Sequence, residues 1–218
     1  MERTKHLTIY LLVGGIEMGE MALNMKRDTR GEIMQVAREL VQSRGFNAFS
    51  YKDLSDRLGI RKASIHYHFP SKEDLGVALL EAFAERMHQW KMSPRILDAS
   101  PAEKLDYLFE TYLEIASDGD KICATGIFSS EWNTLTERLR EKLQELMTAQ
   151  RSWLVGLIRE GREAGVFLEG TDPVDLARLI FAGIQGGIQL ARVQGDPSLF
   201  ASVAAQLKTM VLAPVPTS

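Results

Sequence analysis

The stretch Ile60 to Leu75, "IRKASIHYHFPSKEDL", gathers side chains that bind through hydrogen bonds and charge. Lys62 can reach a guanine O6 or N7, and Ser64 can serve a base or a phosphate. Ala63 is small and permits close approach to a base edge. His66, Tyr67 and His68 have polar tips that can donate to phosphates or bases while their rings pack. Consecutive residues point in different directions around a helix, so these three rings cannot all line one core face. Part of the stretch must therefore look outward. A metal site is the weaker reading: His66 and His68 diverge on a helix, and no Cys or carboxylate cluster stands beside them. The sequence calls for no metal and no cofactor, and the chemistry expected here is recognition of a polyanion.

The elements that position these residues can be read from spacing and caps. Ile33, Val36, Ala37, Leu40 and Val41 recur at helical spacing from about Thr29 to Arg44, and Gly45 ends that helix. Ser50 is an N-cap for a second helix, Tyr51 to Leu58, with Asp53 at its N3 position and Gly59 closing it. A third short helix runs from about Lys62 to His68, with Ile65 and Phe69 on its inward face. Pro70 stops it, and Ser71 caps a fourth helix from Lys72 to about Met92. Helix, glycine turn, short helix is the helix-turn-helix arrangement, whose second helix enters the DNA major groove. Lys72 opens the fourth helix, where a helix N-terminus favours an anion, so it suits a phosphate. Tyr51 and Lys52 open the second helix and are expected to clamp the DNA backbone likewise.

Charge supports that reading. The net charge of −3 hides 10 Lys and Arg against 5 Asp and Glu from Asn24 to Lys72, and 14 against 21 from Glu73 onward. A basic head on an acidic body implies that the head meets the polyanion. The single Cys excludes an internal disulfide framework and points to a reducing, cytoplasmic setting. The apolar run Leu7 to Ile16 loosely imitates a signal peptide, but it lacks a cleavage site and is too short to span a bilayer, so no membrane partner is expected. Residues 1–25 are read as a disordered tail, or as sequence upstream of a start at Met21 or Met25. Gly-x-Ser-x-Gly, a P-loop and His-Glu-x-x-His are all absent, and no enzyme is expected.

Beyond the head, "SPRILDASP" reads as a linker and "ICATGIFSSEW" as a mixed, non-helical segment. Helices are expected from Ala102 to about Ser117, from about Thr136 to Ala164, from Pro173 to about Gln194, and from "GDP" at 195–197 to about Leu212. No alternating strand is found. The fold class expected is all-α, with a three-helix head over 26–88 and a larger helical body over 89–218.

The segment "FSYKDLSDRLGIRKASIHYHFPSKEDLGVALLE" closely resembles the helix-turn-helix signature of TetR-family transcriptional regulators. Gly59, Ser64, His66, Tyr67, His68, Phe69, Lys72 and Leu75 hold the signature positions, and the resemblance spans Thr29 to Met87. The Gly-rich "AGIQGGIQLARVQGDP" is similar to the branch that includes the repressor of N-ethylmaleimide reductase and the LmrA/YxaF-type drug-efflux repressors. The resemblance implies a homodimer on a pseudo-palindromic double-stranded operator, released by a small-molecule effector. It implies that some large rings of the body line an apolar cavity: Phe109, Tyr112, Phe128, Trp132, Trp153 and Phe181, with Gln185 or Gln189 orienting the ligand. Taken singly, each ring, Phe167 included, reads as core. Gly183, Gly186 and Gly187 lie in a helix interior, where each costs about 1 kcal/mol relative to Ala. Close helix packing would compensate, and the resemblance places that packing at a dimer interface. Cys123 reads as a small buried residue, or, beside Lys121 and eight residues before Glu131 as in that branch, as a thiol that senses electrophiles or oxidants.

Overall fold

The computed structural model describes residues 28–119 and 122–213; the tail expected over 1–25 and the side chain of Lys121 lie outside the described residues. Among the described residues ten α-helices follow one another: Thr29–Arg44 (α1), Tyr51–Leu58 (α2), Lys62–His68 (α3), Lys72–Lys91 (α4), Pro94–Leu97 (α5), Pro101–Ser117 (α6), Ala124–Ser130 (α7), Glu137–Glu163 (α8), Pro173–Gln194 (α9) and Ser198–Val211 (α10). The fold is all-α. Among the described residues the only β pairing is an isolated bridge between Phe167 and Leu212.

Local chemistry explains where the helices start. Ser50 with Asp53, Ser71 with Asp74, and Ser100 with Glu103 each form a reciprocal capping box. Asp172 caps α9 ahead of Pro173. Two segments differ from the sequence reading. The expected linker contains α5, whose Ile96 is buried, and "ICATGIFSSEW" contains α7, whose Ala124, Ile127 and Phe128 are buried. Helices this short draw their stability from packing, which sequence periodicity does not report.

The head packs α1, α2, α3 and the start of α4 around Ile33, Leu40, Leu54, Ile65, Phe69 and Leu75. The body packs α6 and α8 to α10 around Leu105, Phe109, Leu143, Ile158, Ile184 and Phe200. The two share one continuous core, because α4 passes from the head onto α8. Gly76 makes that passage close: a Cβ there would lie 2.8 Å from the Phe46 ring and 2.9 Å from Leu139. Further ties join the head to α7 and its surroundings. Ile122 N donates to Gln42 O at 3.2 Å, and the Glu131 carboxylate accepts from Asn47 N at 3.1 Å. Gly45, at φ 99°, leaves the room that carboxylate needs, since a Cβ would lie 2.4 Å from Glu131 Oε1.

Candidate nucleic-acid interface and effector groove

The turn before α3 is made by Gly59, at φ 63°, a left-handed conformation that glycine adopts without steric cost. Ser55 Oγ donates to Ile60 O across this turn at 2.6 Å. Helix α3 then divides cleanly. Ile65 and the following Phe69 are buried in the head, while Lys62, Ala63, His66 and Tyr67 are exposed and Ser64 and His68 half-buried. Tyr67 is 84% exposed, far more than a tyrosine with a structural task requires. Its ring meets His68 edge-on at 5.1 Å. Arg61 and Lys62 form no ion pair among the described residues, so two cations stand free at the start of α3. Arg61 was not singled out by sequence reasoning, although its place beside Lys62 was the available signal.

Other candidates are tied down. The Tyr51 hydroxyl donates to Phe69 O at 2.8 Å and Ser71 O at 2.6 Å, and its ring meets His66 at 4.8 Å. Burial, helped by the Asp74 charge, pushes its pKa up to about 12. Tyr51 is thus a latch that fixes the turn between α3 and α4, which differs from the expected phosphate clamp: the hydroxyl points inward. His66 Nδ1 donates to Pro70 O at 3.2 Å and braces the same turn from outside. Lys72 also departs from the expectation of a free phosphate ligand. Its ammonium donates to Phe49 O and lies 4.9 and 4.6 Å from the Phe46 and Phe49 ring centres. Burial lowers its pKa. Lys52 remains at the surface, paired with Asp56.

In the body, an open groove of about 280 Å³ lies between α7, α8 and α9. Gly126 and Ser129 of α7, Met147 of α8, and Phe181, Gln185 and Gln189 of α9 line it, and no lining residue is charged. Phe181 also lines a second, nearly filled gap of about 10 Å³ beneath Met87 and Lys91 of α4, with Tyr112, Gln150 and Trp153. The structure therefore brings together Phe181 and Gln185 at the groove, and Tyr112 and Trp153 at the inner gap. Phe109 and Phe128 belong to the core instead. Phe128 is fully buried and packs on Phe46 at 5.1 Å, and the Lys208 ammonium lies 5.7 Å from the Phe109 ring centre. Trp132 lies under the Arg140 guanidinium, away from the groove. Sequence reasoning missed the α7 wall because it did not find α7.

Cys123 sits at the N-cap of α7, 8% exposed, with its Sγ 3.0 Å from Thr125 Oγ1. Gly183 and Gly187 pack within the chain: a Cβ would lie 2.8 Å from Leu207 and 3.0 Å from Phe200, both on α10. Their smallness serves the α9–α10 contact within the chain. At Gly186 a Cβ would meet nothing within 4 Å, and this residue alone of the three faces outward.

A tri-helical head with a free recognition face, carried on a helical body with a groove, defines a helix-turn-helix regulator of transcription. Residues 33–79 match the family described as bacterial regulatory proteins, tetR family, and residues 101–207 match the tetracyclin repressor-like C-terminal domain. The chain belongs to the TetR family, a family of DNA-binding regulators rather than enzymes. It is 30% identical over 150 residues to the HTH-type transcriptional repressor KstR2 of Mycolicibacterium smegmatis, covering 67% of this chain and 71% of that protein. The crystal structure of a TetR transcriptional regulator from Legionella pneumophila superposes with a TM-score of 0.75 at 29% identity, covering 84% of this chain and 97% of that one. The reduced form of Escherichia coli NemR shares the fold, with a TM-score of 0.74 at 22% identity over 87% of this chain and all of that one.

Proposed function

We propose that the chain is a homodimeric repressor that holds a pseudo-palindromic operator through two heads and releases it when a small molecule fills the body groove. The observation that carries this reading is the division of α3 into a buried face, Ile65 and Phe69, and an exposed face of Lys62, Ala63, His66 and Tyr67. That outward face carries the donors and the small residue that a major-groove reader uses. Lys62 and Ser64 address bases. Lys52, His68 and the free Arg61 address phosphates, and Tyr51, His66 and Lys72 act mainly by holding α3 at its angle. The head is residues 26–88 and the body 89–218, and the protein acts in the cytoplasm, where its operator is. Repression, rather than activation, is the sign carried by the names of KstR2 and NemR.

Dimerisation is supported by the outward faces of α9 and α10. Leu179, Leu190, Val193 and Met210 are exposed there, an apolar surface that a second copy would cover. Two heads would then read half-sites on successive major grooves.

Release follows from volume. Phe181 is shared by the groove and the inner gap, and that gap has room for one water at most. A ligand that pushes the Phe181 ring inward finds a packed interior, and packed interiors shift rather than compress. Met87 and Lys91, on the far side, belong to α4, which carries the head. The ligand changes the equilibrium only by its differential affinity for the two states. The second reading is a covalent adduct at Cys123, favoured by its bond to Thr125, a groove residue. Its burial makes the reversible ligand the preferred one.

Selection from a random duplex pool, followed by fluorescence anisotropy, tests the proposal. A palindromic consensus should emerge, and its binding should weaken steeply with salt as the free energy gained by releasing counterions falls. Equal affinity for the consensus and a scrambled duplex would contradict it. Release of operator by N-ethylmaleimide from the unaltered protein but not from Cys123→Ser would move the trigger to the thiol.

A further inference from the structure

We infer that the groove recognises a small uncharged molecule carrying an adjacent hydrogen-bond donor and acceptor on an apolar body, a carboxamide being the simplest such group. The inference rests on the groove being the effector site. Both polar atoms of the Gln185 carboxamide, Nε2 and Oε1, are buried, and neither has a hydrogen-bond partner among the described residues. Buried polar groups are nearly always paired, and one that is not points to a missing partner. A carboxamide left open at both ends asks for the mirror pair: a ligand N–H donating to Oε1 and a ligand C=O accepting from Nε2.

The surroundings have been shaped around this group. A Cβ at Gly126 would lie 2.5 Å from Gln185 Oε1, so α7 carries a residue without a side chain where the carboxamide needs room. No charged residue lines the groove, and Lys91 lies beyond Phe181 on the inner gap. An ionised ligand would lose its hydration and gain no counter-charge. The volume, about 280 Å³, is that of about nine waters and lies at the lower end for drug-sized ligands. Phe181 and Met147 offer the apolar body its contacts. The Ser129 hydroxyl, which donates to the Met147 sulfur at 3.7 Å, can serve a second polar edge.

Three probes of one size separate the terms: benzamide, benzoate and ethylbenzene. Each is titrated against the full chain by ligand-observed NMR and tryptophan fluorescence, with circular dichroism to verify folding. Benzamide should bind roughly tenfold more tightly than either of the others, the contribution of one to two net hydrogen bonds. Gln185→Leu should lose that advantage while keeping its affinity for ethylbenzene. Should Gln185→Leu fail to fold, Gly126→Ala reads the same contact by crowding the carboxamide, and it should weaken benzamide selectively. Benzoate binding as tightly as benzamide, full benzamide affinity in both variants, or no binding of any probe would each overturn the inference. Operator binding measured in parallel keeps the two ideas apart. A chain that takes benzamide through Gln185 but binds no duplex sinks the regulator and spares the ligand class. One that binds its operator but prefers benzoate does the reverse.

Discussion

The head and the body groove treat buried polar groups in opposite ways. In the head, the Tyr51 hydroxyl shares its one proton between two carbonyls, Lys72 caps the loop that precedes α2, and two capping boxes close the starts of α2 and α4. In the body, Gln150 Oε1 and both ends of the Gln185 carboxamide are buried without partners. Among the described residues no such orphan occurs in the head. A fully paired network fixes one geometry, whereas an unpaired one is completed by whatever enters. The head is thus built as a reader with a single shape, and the groove as a receiver that is incomplete until filled.

The comparison requires that the two regions be mechanically joined, and Phe128 is the side chain to remove. It is fully buried between α7 and Phe46 of the head. Phe128→Ala should cost about 3–5 kcal/mol of stability by chemical denaturation. A loss below about 1 kcal/mol would mean that the regions are not packed as one core. Next come two polar-to-apolar changes of opposite sign. Tyr51→Phe should destabilise by about 1–3 kcal/mol, because it takes from the buried Phe69 carbonyl its hydrogen-bond donor, while Ser71 O keeps Leu75 N. Gln185→Leu should be neutral or stabilising, because it removes two orphan atoms. The same sign for both would break the comparison.

Two smaller effects sharpen it. Gly186→Ala should stabilise by about 0.5–1 kcal/mol, since the added methyl enters open space and helix propensity improves. Gly187→Ala should lose that gain against Phe200 and Val203. Equal melting temperatures for the two would remove the distinction drawn between the inward and outward glycines. The carboxylates of Asp53, Asp74 and Glu103 have pKa values lowered, chiefly by hydrogen bonds from Ser50, from Arg138 and Ser71, and from Ser100. Their stabilisation is complete above the ordinary carboxylate range near pH 4 and is lost as pH falls through the lowered values. Replacing Asp74 by Asn should flatten the acid limb of a pH titration followed by circular dichroism. An unaltered limb would show that the box contributes nothing.

What the sequence disclosed followed the range of the interactions. Ser50 with Asp53 and Ser71 with Asp74 lie three residues apart, so the starts of α2 and α4 were legible. The spacing of Ile65 and Phe69 likewise separated the inner face of α3 from the outer. Tyr51 was misread because its partners lie 18 and 20 residues away, and only the folded head brings them to its hydroxyl. Helix α7 went unseen because seven residues, "ATGIFSS", start without a side-chain cap and owe their shape to the core. With α7 missing, the groove could be foreseen only from its α9 side, through Phe181 and Gln185. The penalty of Gly183 and Gly187 was visible in the sequence, and so was α10, but not that Leu207 and Phe200 of α10 are what pack on them.

Base reading rests on the outward face of α3. Anisotropy with the selected operator and a scrambled duplex, at one salt concentration, should be compared between the unaltered protein and Lys62→Ala. Lys62 is exposed, unpaired among the described residues and remote from the core. Its loss should therefore leave the melting temperature unchanged and reduce the preference for operator by about 1–3 kcal/mol. An unchanged preference, or an equal loss on both duplexes, would contradict the claim that this face reads bases.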